Sequence, residues 1–340
     1  MSRIKQHKTI PVFVSHMGCP HDCAFCNQRT ITGQQETVTP ELADRMISQA
    51  LSTIPQDSTV EIGFFGGSFT GIDLSLQKGL LSVAKSYVEK GRVHAIRLST
   101  RPDYISEEIV AMLTEYGVTT VELGAQSMDN AVLCANLRGH TKEDTVRASG
   151  LIQAAGINLG LQMMTGLKKD TDETCIRTAQ EIISLNPACV RIYPTLVLRG
   201  THLAHWYQSG TYMPQTLEDA ISICATLKNM FDSADIPIIR MGLMASENIN
   251  QEAEVVAGPY HPAFGELVQS ELYFRALEKS VTTDACIFVH PKTISAFIGN
   301  NRRNIEKFLE RGYRVQFIGD ADIPYGNFQI TEQKGGKSCG

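Results

Sequence analysis

MGCPHDCAFCNQ, residues 17–28, is the most informative stretch of this 340-residue sequence. It places Cys19, Cys23 and Cys26 at the spacing Cys-x3-Cys-x2-Cys, directly after a first predicted strand at residues 10–15. Three thiolates on one tight loop can ligate three irons of a four-iron cluster, whose usual complement is four cysteines. The fourth iron then keeps an open coordination position, and an open position is typical of a catalytic rather than a structural metal site.

A structural zinc site is the alternative interpretation of these cysteines, with His16 or His21 as the fourth ligand. Zinc sites usually pair two short Cys/His groups, and the sequence has no second group, which favours the iron–sulfur interpretation. The chain has nine cysteines, an odd number, and it is not a small secreted scaffold. A disulfide framework is therefore a poor explanation of the three grouped cysteines.

The composition limits the class of protein. The sequence is 43% hydrophobic and 20% charged, which is ordinary for a globular protein and excludes wholesale disorder. The net charge of −5 argues against a surface that is basic throughout, although it allows a local basic patch. No apolar run reaches the roughly 18 residues that cross a bilayer, and the N-terminus does not resemble a signal peptide. We therefore expect a cytoplasmic protein with no membrane partner.

Strand and helix patterns alternate over the first two thirds of the chain. Six or so βα units predict an α/β fold with a parallel sheet and helices outside it. Periodicity alone allows either a doubly wound sheet or a curved, incomplete barrel, and both place functional loops at the carboxyl ends of the strands. The predicted organisation is a core at residues 1–243, a connecting or lid segment at 244–283, a small α/β module at 284–330 and a flexible tail at 331–340.

The cysteine motif, with Phe25 directly before the last cysteine, resembles that of the radical S-adenosylmethionine superfamily. The resemblance implies a partial (β/α)6 TIM-like barrel, a 4Fe-4S cluster on Cys19, Cys23 and Cys26, and S-adenosylmethionine bound at the open iron. In that superfamily one electron from the cluster cleaves S-adenosylmethionine to methionine and a 5′-deoxyadenosyl radical, which abstracts a hydrogen from the substrate. It further implies that Phe25 contacts the cofactor and that a flavodoxin- or ferredoxin-type electron donor is a partner.

Two further segments resemble the cofactor site of that superfamily. In GFFGGSFTG, which follows the second predicted strand, Gly66 and Gly67 match the glycines that bind the methionyl amino group, and glycine lets a backbone approach a ligand closely. In GLQMMTGL, Gln162 matches a polar contact to the ribose. The resemblance therefore implies that these residues hold S-adenosylmethionine.

VELGAQSMDNAVLCANLRGHT, residues 121–141, carries a more specific resemblance. It is similar to a segment of the Elongator catalytic subunit and, more loosely, of oxygen-independent coproporphyrinogen oxidases. The matching glutamine and arginine, Gln126 and Arg138 here, contact S-adenosylmethionine in those proteins, and a guanidinium can bind a carboxylate through two parallel hydrogen bonds. A solvated charge at a helix end is the alternative for Arg138.

RPDYI (residues 101–105) and RIYPTLVLRGTHL (residues 191–203) also resemble the Elongator subunit, so that likeness covers roughly residues 10–215. The sequence shows no glycine loop for acetyl-coenzyme A, and too few residues remain for the acetyltransferase domain of that subunit. Acetyl transfer is therefore not expected.

IGNNRRNI, residues 298–305, is similar to the IGxxGxxI signature of KH domains, whose GXXG loop clamps a nucleic-acid backbone. Arg302 replaces the second glycine of that signature. Residues 292–314 contain six basic and two acidic side chains, a local balance of +4 in an acidic chain. Arg302 and Arg303 are therefore predicted to contact RNA. An amphipathic helix and strand with a solvated basic face is the alternative.

These observations predict a radical S-adenosylmethionine enzyme that modifies its substrate by hydrogen abstraction, and an RNA nucleoside such as one in tRNA is the expected substrate. A radical enzyme acting on a small molecule or tetrapyrrole is one alternative. A non-enzymatic, metal-stabilised binding protein is another. Tyr193 and His261 are the remaining predicted substrate contacts, with packing as the alternative for each.

Overall fold

The structure is a computed structural model that describes residues 7–14, 19, 23–26, 38–243 and 254–332. The described residues divide into two compact units. The first comprises those of Met1–Thr216 and Met230–Tyr260, and the second comprises those of Leu217–Asn229 and His261–Gly340. Residues 333–340 of the predicted tail lie outside the described residues, as do residues 244–253 of the predicted lid segment, while residues 331 and 332 of the predicted tail belong to a strand. The predicted domain boundaries stay predictions.

The strands of the first unit include the predicted βα series. They are β1 (His7–Phe13), β2 (Thr59–Phe65), β3 (Ala95–Thr100), β4 (Thr120–Gln126), β5 (Asn158–Thr165), β6 (Cys189–Pro194), β7 (Val197–Leu198), β8 (Ile238–Met241) and β9 (Val255–Ala257). Seven of them form a parallel sheet in the order β1-β2-β3-β4-β5-β6-β8, while β7 and β9 form a separate antiparallel pair. This α/β partial barrel confirms the predicted fold class.

The described residues form a series of helices, the first seven of which begin at side chains that cap free amides of the first turn. They are α1 (Pro40–Thr53), α2 (Leu74–Glu89), α3 (Glu107–Glu115), α4 (Asn130–Ala135), α5 (Lys142–Ala154), α6 (Asp172–Ser184), α7 (His202–Gln208), α8 (Leu217–Ser233), α9 (Phe264–Glu278), α10 (Ile294–Ile298) and α11 (Arg303–Glu310). The Thr39 hydroxyl, for example, accepts a hydrogen bond from the Leu42 amide at 3.2 Å, as the Thr-Pro-Glu sequence predicts. None of the helices in the described parts of the chain has both the length and the apolar character that crossing a bilayer requires.

A network of buried charged side chains runs across neighbouring strands of the parallel sheet. The third residues of β2, β3, β4 and β6 are charged and alternate in sign along the sheet; they are Glu61, Arg97, Glu122 and Arg191. Arg97 Nε lies 3.3 Å from the Glu61 carboxylate, and Arg97 Nη1 lies 2.8 Å from that of Glu122. Arg191 donates to both Glu122 oxygens. Each buried carboxylate is therefore compensated, as burial requires.

Gly160 explains how Arg191 on β6 reaches Glu122 on β4, although β5 lies between these strands. Gly160 is the third residue of β5, so its missing side chain would occupy the same layer of the interior. A Cβ at this position would lie 2.8 Å from Glu122 Cγ and 3.2 Å from Cys189 Sγ. The glycine therefore leaves the space through which the ion pair forms.

The second unit contains a three-stranded sheet and its covering helices. Its strands are β10 (Ala285–Val289), β11 (Val315–Gly319) and β12 (Phe328–Glu332), and β10 pairs in parallel with β11 and antiparallel with β12. Phe297 and Phe308, both fully buried, are central to its hydrophobic core. The chain runs from β10 through α10, a turn at Asn300–Arg302 and α11 to β11. The KH-like interpretation of this module stays a prediction.

Candidate functional site

The loop that carries the cysteines is fixed through its own backbone. Cys26 N–H donates to the Cys23 carbonyl at 3.0 Å, which closes a turn. Ala24, which lies inside that turn, forms two further backbone bonds: its N–H donates to the Asn136 carbonyl at 3.0 Å, and its carbonyl accepts from Leu203 N–H at 2.8 Å. These bonds attach the turn to the ends of α4 and α7 and so set the position of the thiols.

Asn136 is the residue that anchors this attachment. It is fully buried, and its side chain donates to the Val132 and Lys168 carbonyls at 2.8 and 2.9 Å while accepting from the Lys168 amide at 3.1 Å. Its carbonyl remains directed at the cysteine loop. Phe25 packs against a buried cluster of Val132, Met164 and Leu167, as does Tyr193.

Two guanidinium groups lie against the Cys23 thiol. Arg138 Nη1 donates to Cys23 Sγ at 3.3 Å and Arg101 Nη1 donates to the same sulfur at 3.9 Å, and all three residues are buried. Arg138 also donates from Nη2 to the Gly124 carbonyl at 2.8 Å, whereas its buried Nε has no hydrogen-bond partner within the described residues. Arg138 is therefore a buried side chain at the cysteine loop, and the alternative of a solvated helix-end charge is wrong.

Cys19 lies in the same neighbourhood. Desolvation raises the pKa of its thiol, while the charges of Arg138 and Arg101 and a hydrogen bond from the Ser68 backbone oppose the increase. The charge of the nearby Cys23 thiolate also raises the Cys19 pKa. Cys19 as a whole residue is exposed and Cys26 is half-buried. No group of three or more His, Cys, Asp or Glu side chains in the described parts of the chain is arranged to hold a metal ion, and residues 20–22 lie outside those parts.

Gln126 lies next to Arg138, and Gln162 bonds to Gln126. The backbone of Gln126 adopts a left-handed φ of 64° at an irregularity in the pairing of β4 with β5. Gln162 Nε2 donates to Gln126 Oε1 at 3.2 Å. A Cβ on Gly124 would lie 2.8 Å from both Arg138 Nη2 and Gln126 Nε2, so the bare backbone of this glycine allows the two side chains to converge.

The Gly66–Gly67 turn follows β2 at the same end of the sheet. Gly66 has a φ of 94°, and both glycines are half-exposed. The next residue, Ser68, hydrogen-bonds the Thr100 hydroxyl at 2.8 Å and accepts from the Arg101 amide at 3.2 Å. The turn is therefore linked to the segment after β3 that carries Arg101.

Asp103 and His140 complete the surroundings of the two arginines, and no sequence motif predicts a role for Asp103. Asp103 binds Arg101 through two hydrogen bonds, at 2.9 and 2.8 Å, which lower the Asp103 pKa against the opposing effect of burial. His140 Nε2 lies 3.3 Å from the Ala125 carbonyl. Burial and the charges of Arg138 and Arg101 lower the His140 pKa to about 3. The imidazole is therefore neutral at physiological pH.

The predicted substrate contacts are distributed over both units. Tyr193 packs in the first unit against the same buried cluster as Phe25. His261 lies in the second unit, where its Nδ1 accepts from the Ala263 amide at 3.1 Å. Arg302 adopts a left-handed φ of 62° in the turn before α11, and Arg303 forms an ion pair with Glu218 at 3.2 Å. Tyr193 therefore lies near the cysteine loop through Phe25, whereas Arg302 and Arg303 are neighbours in the second unit.

Some of these site residues had a signal in the sequence. Arg101 and Asp103 belong to the RPDYI segment, which resembles the Elongator subunit, but that resemblance implies no role for either side chain. Asn136 precedes Leu137, which has a left-handed φ of 55°, and no sequence pattern distinguishes its anchoring role from that of any turn asparagine.

The fold and the loop together define an α/β partial-barrel protein with grouped cysteines after its first strand. Family profiles agree with this description: the Radical SAM superfamily profile matches residues 14–182, and the Radical_SAM C-terminal domain profile matches residues 187–273. The chain belongs to the radical SAM superfamily. The membership confirms the predicted resemblance, and it implies a 4Fe-4S cluster and S-adenosylmethionine as cofactors.

Known relatives add detail. The tRNA uridine(34) acetyltransferase of Methanocaldococcus infernus is 28% identical over 262 residues, which cover 65% of this chain and 49% of the relative. Elongator complex protein 3 of Homo sapiens is 30% identical over 137 residues, covering 39% of this chain and 25% of that protein. The solved structure of Methanocaldococcus infernus Elp3 with an N-terminal deletion has a TM-score of 0.63 and 25% identity, and covers 82% of this chain and 64% of that one. The chain thus spans about half the length of the archaeal curated relatives.

The residues present fit a thiolate-bound cluster. A 4Fe-4S cluster on cysteine thiolates is an anionic group, and the Cys23 thiol lies against two guanidinium groups that are matched by one close carboxylate, that of Asp103. The unpartnered Nε of Arg138 leaves one buried donor for a further anionic or polar ligand.

Proposed function

We propose that this chain is a radical S-adenosylmethionine enzyme whose cluster is held by Cys19, Cys23 and Cys26. The observation that carries the proposal is the Arg138 guanidinium, which contacts the Cys23 sulfur at 3.3 Å and converges with Gln126 above Gly124. One side chain thus links the thiol of the cysteine motif to the polar groups at the carboxyl end of β4. Functional groups of α/β barrels lie at this end of the strands.

The binding of S-adenosylmethionine is proposed to use the residues around this link. Arg138 has a free Nε for the carboxylate of the cofactor, and Gln126 and Gln162 supply amide groups for its polar atoms. The Gly66–Gly67 turn offers backbone groups to the methionyl amine, and Phe25 provides an apolar surface beside the loop. When bound, cluster and cofactor supply a 5′-deoxyadenosyl radical; the chain's own residues bind and orient the cofactor.

The proposed substrate is an RNA nucleoside, and tRNA is the form to test. The support is the activity of the archaeal relatives, which are tRNA uridine(34) acetyltransferases and align with 65% of this chain. Arg302 adds an exposed cation in the second unit. Acetyl transfer is not part of the proposal. A flavodoxin- or ferredoxin-type electron donor and a cytoplasmic location accompany it as predictions.

Anaerobic reconstitution tests this function. Purified full-length chain is loaded with iron and sulfide, reduced with dithionite and mixed with S-adenosylmethionine, with and without bulk tRNA. We expect 5′-deoxyadenosine by mass spectrometry, and more of it when tRNA is present. Iron-loaded protein that neither binds nor cleaves S-adenosylmethionine would instead identify a metal-stabilised binding protein. Cleavage that tRNA leaves unchanged and a tetrapyrrole accelerates would identify the small-molecule alternative.

A further inference from the structure

Arg101 is a buried cation whose position the cofactor site described above does not explain. It is only 2% exposed, and its Nη1 lies 3.9 Å from the Cys23 sulfur. Burying a guanidinium carries a large desolvation cost, so the position implies compensating contacts. Arg138 already supplies a closer donor to the same sulfur, at 3.3 Å.

The Arg101 side chain is held rigidly in this position. Asp103 binds it through Nε and Nη2, and Nη2 also donates to the Arg138 carbonyl at 2.8 Å. Its backbone amide donates to the Ser68 hydroxyl, and the following residues Pro102–Tyr104 form a 3-10 turn. With one face fixed by Asp103, the remaining Nη1 is directed to the sulfur. Such a preorganised group acts on its neighbour without paying the entropy of being ordered.

The charges around the Cys23 sulfur do not cancel. Arg101 and Arg138 each carry a full positive charge, because an arginine does not deprotonate in proteins. Asp103 balances one of them, and within the described residues no carboxylate forms an ion pair with Arg138. The neighbouring His140 is neutral. The sulfur therefore lies in a positive local field inside a region of low dielectric constant, where charges interact strongly.

We propose that Arg101 is an electrostatic tuning residue, whose fixed charge favours the one-electron reduced form of a cluster bound at Cys23. The inference rests on the proposed function. In the step concerned, the cluster gains one electron from a low-potential donor, which is oxidised by one electron, so the cluster becomes more negative by one unit. A fixed cation beside a ligand sulfur stabilises that added charge, and hydrogen bonds to cluster sulfurs also influence reduction potentials.

A structural role for Arg101 is the competing explanation, because it also supports the turn at Arg138. The two explanations differ in their effect on the Asp103→Asn variant. Tuning by charge predicts opposite shifts: Arg101→Gln removes a positive charge and lowers the midpoint potential, whereas Asp103→Asn removes a negative charge and raises it. Loss of structural support moves both variants in the same direction.

The test is a potentiometric titration followed by electron paramagnetic resonance, on reconstituted full-length protein without S-adenosylmethionine. Arg101→Gln is expected to lower the equilibrium constant for reduction about tenfold, which is about 59 mV for a one-electron couple. Asp103→Asn is expected to shift the midpoint in the positive direction. Arg45→Gln, which removes an exposed cation on α1, is the matched control and is expected to titrate like the wild type.

The outcomes separate the inference from the function on which it rests. A wild-type protein that never shows the signal of a reduced 4Fe-4S cluster overturns both. A normal wild-type signal with unchanged midpoints in both variants, or with shifts of the same sign, overturns the role of Arg101 and leaves the proposed function intact. If Arg101→Gln does not retain a cluster, the Asp103→Asn shift decides: positive supports tuning, and zero or negative contradicts it.

Discussion

The cysteine loop of the first unit and the basic segment of the second unit both concentrate positive charge, but they use it differently. At the loop, Arg101 and Arg138 are buried and only Arg101 pairs with a carboxylate in the described residues, so positive charge remains beside the Cys23 sulfur. In the second unit three of the basic side chains each pair with a glutamate; the pairs are Arg303–Glu218, Lys307–Glu271 and Arg311–Glu278. Charge that is available to a ligand therefore depends on local pairing and burial, and the number of basic residues in a segment does not measure it.

Removal of the sulfur at the centre of the first region is expected to have the largest effect. Cys23→Ala deletes the thiol that both guanidinium groups contact, so a cluster loses one ligand and its electrostatic support together. We expect iron content near background after reconstitution and no detectable 5′-deoxyadenosine. Cys134→Ala, which changes an exposed cysteine on α4, is the matched control and is expected to retain both. Equal iron loading in the two variants would contradict the assignment.

Replacement of Asn136, which anchors the cysteine loop, is expected to have the next largest effect, a loss of stability. Asn136→Ala removes three side-chain hydrogen bonds from a fully buried position and leaves the Lys168 backbone groups unsatisfied. We expect it to lower the free energy of unfolding by about 3 kcal/mol. Trp206, the chain's single tryptophan, lies in the same unit, so its fluorescence in a denaturant titration reports the change.

Asn158→Ala is the control for that measurement, because Asn158 is an exposed asparagine of the same unit. It is expected to change the free energy of unfolding by less than about 0.5 kcal/mol. Similar losses in the two variants would show that the loop does not depend on Asn136.

The pH dependence of stability tests the positive field around the first region. The His140 pKa is about 3 in the folded chain and near 6.5 in an unfolded one, so the unfolded state binds the extra proton between these values. The stabilising contribution of neutral His140 is therefore complete above about pH 6.5 and is lost as the pH falls towards 3, by about 1.4 kcal/mol per unit within that window. The groups responsible, besides burial, are Arg138 and Arg101, opposed by Asp103.

His140→Gln removes this titration. Between pH 6 and pH 4, the free energy of unfolding of the wild type is expected to fall more steeply than that of the variant, as followed by Trp206 fluorescence. Parallel curves would mean that the imidazole is not held neutral by its surroundings.

The smallest expected effect concerns RNA affinity in the second region. In the described structure no ion pair involves Arg302, whereas Arg303 is paired with Glu218, so of these two arginines Arg302 has the charge that is available to a phosphate. We expect Arg302→Ala to weaken tRNA binding about three- to tenfold and to reduce the slope of log affinity against log salt concentration by about one. Arg303→Ala is expected to change affinity less than about twofold, since a surface ion pair must first be broken. Equal effects of the two substitutions would show that pairing with Glu218 does not decide which arginine binds RNA.

Much of the fold follows from the sequence, because hydrophobic periodicity, glycine stops and capping residues are local signals. The apolar pattern and the stop signal at Gly91 predict a helix from about Leu74 to Lys90, and the observed helix is Leu74–Glu89. The apolar run at residues 60–65, which ends before Gly66 and Gly67, predicts a strand, and the observed strand is Thr59–Phe65. The short helices α4 and α7 were not predicted, since six or seven residues carry too little periodicity.

The contacts between distant segments could not be predicted in the same way. The ion pair between Arg191 and Glu122, which forms across Gly160, depends on strand register. The two hydrogen bonds between Arg101 and Asp103 depend on where a turn directs one side chain. The cysteine motif indicated the kind of site through its spacing alone. The pairing of Arg303 with Glu218 joins residues 85 positions apart, and no local pattern reveals it.

Mössbauer spectroscopy of protein reconstituted with 57Fe tests the central claim most directly. If three cysteines hold a 4Fe-4S cluster and leave one iron open, a single iron subsite changes its signal when S-adenosylmethionine is added, while the other three keep theirs. A spectrum of four equivalent, fully ligated irons that S-adenosylmethionine does not alter would contradict the account.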